Sequence, residues 1–379
     1  MIYFDYNSTH PPIESILQEN LKSYLNNWAN PSGISFFSQR NFAKIEQSRK
    51  KILELLKKFY SFYSNDATLI FNSTGTEAVY QMVFSFFDKD KPYAFVSPYE
   101  HECFYSACSH FGLHAFMLPA NPKGMVNPQD VFSLIEQEKI PVDKISFIAC
   151  IFVSNETGVI QPIKELSEVA KKLNLPLISD TIQIAGKIPY DFSFLDGFTM
   201  NGHKIGAGFG TSVFVSKNSK RIKSIFKGGL QENEFRAGTE NVFSILNFAE
   251  AMEWQMNHQE MYKKNIEFQR KIENFLKKEC NAILVGENSP RVFHTTYAIF
   301  PEISNLDFLL ISLDQHEIVC STGSSCKSRT RQPSEILMRM GFSKEMSLQA
   351  LRFSTGVFTN ESEVNSFCEI FRKIYKNLL

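Results

Sequence analysis

Residues 145–153 form an apolar run that narrows the choice of fold. A strand that is apolar on both faces must be covered on both faces, which is the situation of a central strand in a parallel sheet. The run ends in the polar stretch 154–158. Around it, strand patterns recur at residues 68–71, 93–97, 114–118, 175–179, 197–200 and 211–215. Helical spacing is read at 13–24, 36–59, from the loop 72–77 to about 87, and at 163–173, where residues 163, 166, 169, 170 and 173 are apolar. Strands alternating with amphipathic helices predict an α/β fold, with a mainly parallel central sheet and helices on both faces.

A chain of 379 residues allows about two domains. From about residue 243 the pattern turns helical up to 280. The remainder mixes strands at 295–300 and 317–321 with helices at 306–313, 334–340 and 361 to the end. This predicts a large α/β domain over residues 15–258 and a smaller α+β domain from 1–14 together with 259–379.

The charge balance is 40 basic against 40 acidic residues, so nothing in it asks for a nucleic acid or an acidic surface. No apolar run is long enough to span a bilayer, and the N-terminus lacks a basic segment followed by an apolar one. The expected compartment is the cytoplasm. Seven cysteines, an odd and irregularly spaced set without a C-x-x-C pair, argue against a disulfide framework and against a structural zinc site, so no metal is expected.

Polar groups collect at four strand ends: residues 74–77, Asn155, Asp180 with Gln183, and His203 with Lys204. Strand ends are where sites gather in α/β proteins. Lys204 lies in a glycine-broken turn between two apolar strands; taken alone it reads as a surface lysine, but desolvated at a strand end it could attack a carbonyl. The loop 72–77 could offer backbone N–H groups to an anion at a helix N-terminus, although Thr74 or Thr76 reads first as a plain N-cap. A lone Asp180 reads as a helix cap. An aspartate 24 positions before such a lysine suits pyridoxal 5'-phosphate, which needs a lysine amine, a carboxylate facing its ring nitrogen, and a phosphate cradle.

With these motifs in view, the sequence resembles the cysteine desulfurases of the NifS/IscS type, within the class V aminotransferase-like, fold-type I pyridoxal phosphate enzymes. The resemblance runs from Phe4-Asp5 to Arg352-Phe353-Ser354. It rests on Ala29-Asn30-Pro31-Ser32, Glu100-His101, Asn155-Glu156-Thr157-Gly158, Asp180 with Gln183, Gly202-His203-Lys204, Arg236-Ala237-Gly238-Thr239 and Ser321-Thr322-Gly323-Ser324-Ser325-Cys326.

The resemblance implies roles. Lys204 would carry the cofactor as an aldimine, Asp180 would pair the ring nitrogen and Gln183 the ring oxygen. His101 would stack on the ring and move protons. Gly75, Thr76, Asn201, His203 and, from the partner subunit of a homodimer, Thr239 would hold the phosphate. Asn155 and Arg352 would bind the carboxylate of L-cysteine; without the resemblance, Arg352 reads equally as a surface ion pair. Cys326 would be the nucleophile. It is followed by the apolar-free residues 327–332, with Lys327, Arg329 and Arg331 favouring the thiolate. The implied reaction moves sulfur from L-cysteine to Cys326, releases L-alanine, and passes the persulfide to an acceptor protein, for iron–sulfur cluster assembly or tRNA thiolation.

Several positions depart from the family pattern. Asn201 stands for a serine, residues 206–210 for the usual segment after the lysine, Lys227 for a glycine, and Ser35 and Ser38-Gln39 for the usual histidine and Gly-Arg pair. These put rate and acceptor choice in question more than reaction type. The competing readings are selenocysteine lysis or another pyridoxal phosphate reaction on this fold, and a binding or scaffold protein that has lost turnover.

Overall fold

The computed structural model describes residues 1–323 and 332–378. Seven strands form the main sheet, in the spatial order Thr68–Asn72, Ser212–Ser216, Gly197–Asn201, Leu177–Asp180, Ile145–Ala149, Tyr93–Val96, His114–Met117. All neighbours are parallel except at Ser212–Ser216, which runs antiparallel to both of its partners. The chain reaches that strand from Gly197–Asn201 through a short turn, and a parallel pair would need a crossover of a dozen residues or more.

The expected strand over 145–153 is shorter in the structure. Its pairing with Tyr93–Val96 stops at Ala149. On the other side Cys150 N and Phe152 N still donate to the carbonyls of Ile178 and Asp180. The run therefore stays buried, and on its other edge the Glu100 side chain takes Ile151 N as the chain turns toward Asn155. Two helices also fill stretches that carried no helix reading, Glu102–His110 and Asp130–Gln137.

Helices cover both faces of the sheet. Ile163–Leu173 buries Ile163, Leu166, Val169 and Ala170, the stripe its spacing predicts. Gly75–Phe86 lies close enough to Gly197 that a Cβ there would meet the Phe86 ring at 2.6 Å, so a larger residue would push the helix off the strand. The helical stretch after 243 is two helices, Val242–Asn257 and Gln259–Cys280.

The rest of the chain forms an antiparallel sheet in the order Ala350–Ser354, Thr295–Ile299, Ile283–Leu284. A two-residue parallel pair joins Ile2–Tyr3 to Ile318–Val319. These strands share an apolar cluster with Gln259–Cys280, Leu306–Gln315 and Glu361–Leu378. Its centre is aromatic: the rings of Phe4, Phe353 and Phe371 each contact Phe367. Among the described residues no helix is long and apolar enough to cross a membrane.

Candidate active site

A cleft of about 1080 Å³ opens at the ends of the central strands. It is lined by nearly every expected residue that the structure describes: Gly75, Thr76, His101, Asn155, Asp180, Gln183, Asn201, His203, Lys204 and Arg352.

Strand Gly197–Asn201 delivers Lys204 through a tight turn in which the Asn201 side chain accepts from His203 N at 3.2 Å. Lys204 Nζ donates to the carbonyl oxygens of Asn7 and Ser8, each at 2.6 Å. The N-terminal segment thus closes one wall of the cleft with backbone carbonyls. No side-chain pattern signals such a role, which is why residues 7 and 8 escape a reading by residue type.

Asp180 ends strand Leu177–Asp180 and is buried. Its Oδ1 accepts from Ile182 N at 2.9 Å, so it does cap the following turn. Burial pushes its carboxyl pKa up, against the backbone bond from Ile182 and the charges of His101 and Lys204. A buried carboxylate of this kind is satisfied best by a cationic ring nitrogen. Gln183, one turn on, donates from Nε2 to Asn7 O at 3.1 Å and accepts at Oε1 from Lys187 Nζ at 3.3 Å.

Opposite Lys204 lies the N-terminus of Gly75–Phe86. Thr74 is its N-cap, accepting from Glu77 N at 3.1 Å. A Cβ on Gly75 would meet Asn201 Nδ2 at 2.8 Å and Ile182 Cδ1 at 3.0 Å. The glycine therefore keeps open a cradle edged by backbone N–H groups, the Asn201 amide and Thr76, a donor set that suits a phosphate ester. His203 lies beside it with Nδ1 at 3.1 Å from Thr9 Oγ1 and its ring stacked on Phe209. Burial, with Lys204 and Lys187 nearby, pulls its pKa down to about 4, so at neutral pH it contributes a neutral imidazole.

His101 caps helix Glu102–His110, its Nδ1 accepting from Cys103 N at 3.2 Å. That bond leaves Nε2 to carry the proton of a neutral ring. Beside it Glu100 is buried with Oε2 unpartnered; burial and the nearby Asp180 push its carboxyl pKa well above the ordinary value, against the backbone bond from Ile151 and the charge of His101.

Arg352 is wholly buried, not a surface ion pair. Its strand, Ala350–Ser354, aims the guanidinium into the cleft, where Nη1 donates to Asn155 O and Nη2 to Asp5 Oδ1 and Ser8 Oγ, each at 2.8 Å. Arg352 Nε and Asn155 Oδ1 are buried without partners, a donor and an acceptor left for a ligand to satisfy, and the Nε–H is the one that suits a carboxylate.

Glu156 anchors the rim. Its Oε2 accepts from Ser334 Oγ at 2.5 Å, and a Cβ on Gly323 would meet it at 3.2 Å and Tyr297 Oη at 2.6 Å. Gly323 and Pro333 both line the cleft. Cys326 lies outside the described residues, between these two roots. Thr239 is exposed and is not brought into the cleft of its own chain.

The profile of the aminotransferase class-V family matches residues 2–367. The chain belongs to the class-V aminotransferase family. Within it, this family member is similar to the cysteine desulfurases of the NifS/IscS type. It is 28% identical to the cysteine desulfurase IscS of Dictyoglomus turgidum, over all of this chain and 95% of that one. It is 26% identical to the cysteine desulfurase NifS of Azotobacter vinelandii, over 96% of this chain and 90% of that one. A solved NifS-like protein from Rickettsia africae superposes with a TM-score of 0.87 at 28% identity, covering 99% of both chains. The fold is accordingly that of the fold-type I pyridoxal phosphate enzymes, as the alternating strands and the motifs predict.

Proposed function

We propose that this class-V family member is a cysteine desulfurase that holds pyridoxal 5'-phosphate on Lys204 and takes sulfur from L-cysteine onto Cys326. One observation carries the reading: Lys204, the buried Asp180 and the buried Arg352 line a single cleft whose rim is formed by both roots of the segment bearing Cys326.

The cofactor, when bound, supplies an aldehyde that captures amines and a ring that withdraws electrons from the adjacent carbon. Asp180 is the group that would face its ring nitrogen, Gln183 its ring oxygen, and Gly75, Thr76, Asn201 and His203 its phosphate. Thr239 would join them from the partner subunit. Arg352 and Asn155 hold the substrate carboxylate, and His101 moves protons at the reacting carbon.

Cys326 lies three residues past Gly323, a reach of roughly 10 Å for an extended chain. Its thiolate attacks the sulfur of bound cysteine. A sulfur–sulfur bond forms, the carbon–sulfur bond breaks with its electron pair left on the three-carbon fragment, and that fragment is protonated and leaves as alanine. The persulfide on Cys326 then passes to an acceptor protein, in iron–sulfur cluster assembly or tRNA thiolation.

The proposed assembly is a homodimer of chains divided as 15–258 and 1–14 with 259–379. All six described cysteines are free thiols, which suits a reducing compartment such as the cytoplasm. The test is to add L-cysteine to the purified protein, quantify alanine, and weigh the intact chain. One equivalent of alanine with a mass gain of one sulfur on the peptide containing Cys326 is expected; no alanine and no added mass would refute the reading.

A further inference from the structure

Beneath the cleft floor lies a second lysine that the reaction above does not use. Lys187 is 1% exposed. Its Nζ donates to Gln183 Oε1 at 3.3 Å. Gln183 Nε2 donates in turn to Asn7 O at 3.1 Å, and Asn7 O also accepts from Lys204 Nζ at 2.6 Å. One side-chain amide and one backbone carbonyl therefore link two lysine amines in a continuous relay. An amide can turn over by half a rotation with little change of shape, and only its hydrogen bonds decide which end is NH2. As an ammonium Lys187 has only donors to offer and the Asn7 carbonyl can only accept, so the two together fix the oxygen of Gln183 toward Lys187 and its NH2 toward the cleft.

We propose that Lys187 is a positioning residue for this site, holding the Gln183 amide in its working orientation and coupling its own charge to the amine of Lys204 through the Asn7 carbonyl. The proposal rests on the cofactor reading given above.

The surroundings work against the ammonium, so both its hold on Gln183 and its charge weaken as pH rises. The charges that act most on Lys187 are Lys204 and Arg352, both of its own sign, and together with burial, the largest effect, they pull its pKa down to about 7. The histidines that feel its charge are His10, His203 and His294, all buried enough to be held neutral. Gln259 donates to its backbone carbonyl, and Tyr60 accepts from the preceding Gly186 N. No carboxylate is among these groups. A lysine with its pKa pulled toward neutrality, linked to Lys204 through Gln183 and the Asn7 carbonyl, gives that amine a pH-dependent neighbour, since like charges disfavour one another.

The experiment compares holoenzymes of the wild type, Lys187→Met and Lys187→Arg by the pH titration of the visible cofactor band and by kcat and KM for cysteine. Methionine fills the same space without a donor. Arginine keeps a positive charge at every pH. Lys187→Arg is expected to lower the midpoint of the visible titration by about one pH unit. Lys187→Met is expected to lower kcat about tenfold, the loss of one positioned hydrogen bond, with KM within about twofold of wild type. A role in packing alone would move neither the midpoint nor kcat in this way. A Lys187→Arg enzyme titrating at the wild-type midpoint overturns the coupling, and a Lys187→Met enzyme with wild-type kcat overturns the positioning role. A wild-type protein with no visible band overturns the cofactor reading itself, a result distinct from either.

Discussion

Asp5 Oδ1 lies 2.8 Å from Arg352 Nη2, and the two side chains are 14% and 1% exposed. The pair ties the fifth residue of the chain to its last strand and aims the arginine at the cleft. Removing one member of a buried pair leaves an uncompensated charge, at a cost of about 3 kcal/mol or more. Asp5→Asn is therefore expected to lower the unfolding free energy by that order and to raise KM for cysteine, as Arg352 loses its fixed direction. Urea unfolding and initial rates of alanine formation check both; an unchanged KM would remove Arg352 from the substrate site.

Gly75→Ala fills the anion cradle with one methyl, which the structure places against Asn201 and Ile182. Alanine is a better helix former than glycine, so stability without cofactor should hold or rise slightly. Cofactor retention on dialysis should fall steeply. Retention equal to wild type would show that no phosphate is held there.

His10 supplies a pH dependence independent of cofactor. Its Nδ1 donates to Pro11 O at 2.5 Å and its Nε2 accepts from Gln255 Nε2 at 3.0 Å, the pattern of a neutral ring. Burial pulls its pKa from 6.5 to about 4. The unfolded chain takes up this proton near pH 6.5, the folded one only near pH 4. Stability is thus present above 6.5 and lost as pH falls through 4, by about 3 kcal/mol at 1.36 kcal/mol per pH unit. Unfolding midpoints measured from pH 7 to 4 should fall less steeply for His10→Gln than for wild type.

The proposed homodimer draws support from exposed apolar side chains. Trp28, Ile34, Phe36, Phe209 and Leu230 are each at least 72% exposed, large apolar side chains that a second copy of the chain would cover. Gln231 reaches Ser32 and Tyr24 packs on Phe243, so the segments around 24–42 and 226–243 share one face with the exposed Thr239. Sedimentation at assay concentration should give a dimer, and Trp28→Asp should yield monomers that shed cofactor. A fully active monomer would contradict this.

Much of this was legible because the chemistry needs particular residue types at particular strand ends. Asp180, Gln183, His203 and Lys204 announce themselves by type and spacing, and all line the cleft. Backbone roles were not legible: the carbonyls of Asn7 and Ser8 hold Lys204 whatever their side chains are. Arg352 was legible by resemblance alone, since its short strand, Ala350–Ser354, lies in a stretch with no strand reading and its burial depends on Asp5, 347 residues away. Lys187, three residues after Ile184 in a buried turn, has no sequence mark that separates it from a surface lysine.

The central claim is that Lys204 carries the cofactor chemistry while Cys326 takes the sulfur, and alanine formation together with intact-chain mass across the seven single cysteine-to-serine variants and Lys204→Ala tests it most directly. Lys204→Ala should lose the visible band and turnover together. Cys326→Ser should keep the band, still shift it on adding cysteine, and form almost no alanine and no persulfide, since a serine hydroxyl is barely ionised at neutral pH. The other six variants should turn over apart from folding losses at the buried positions Cys108, Cys150, Cys280 and Cys368. Wild-type alanine formation by Cys326→Ser, or a dead Cys103→Ser or Cys320→Ser beside it, would contradict the account.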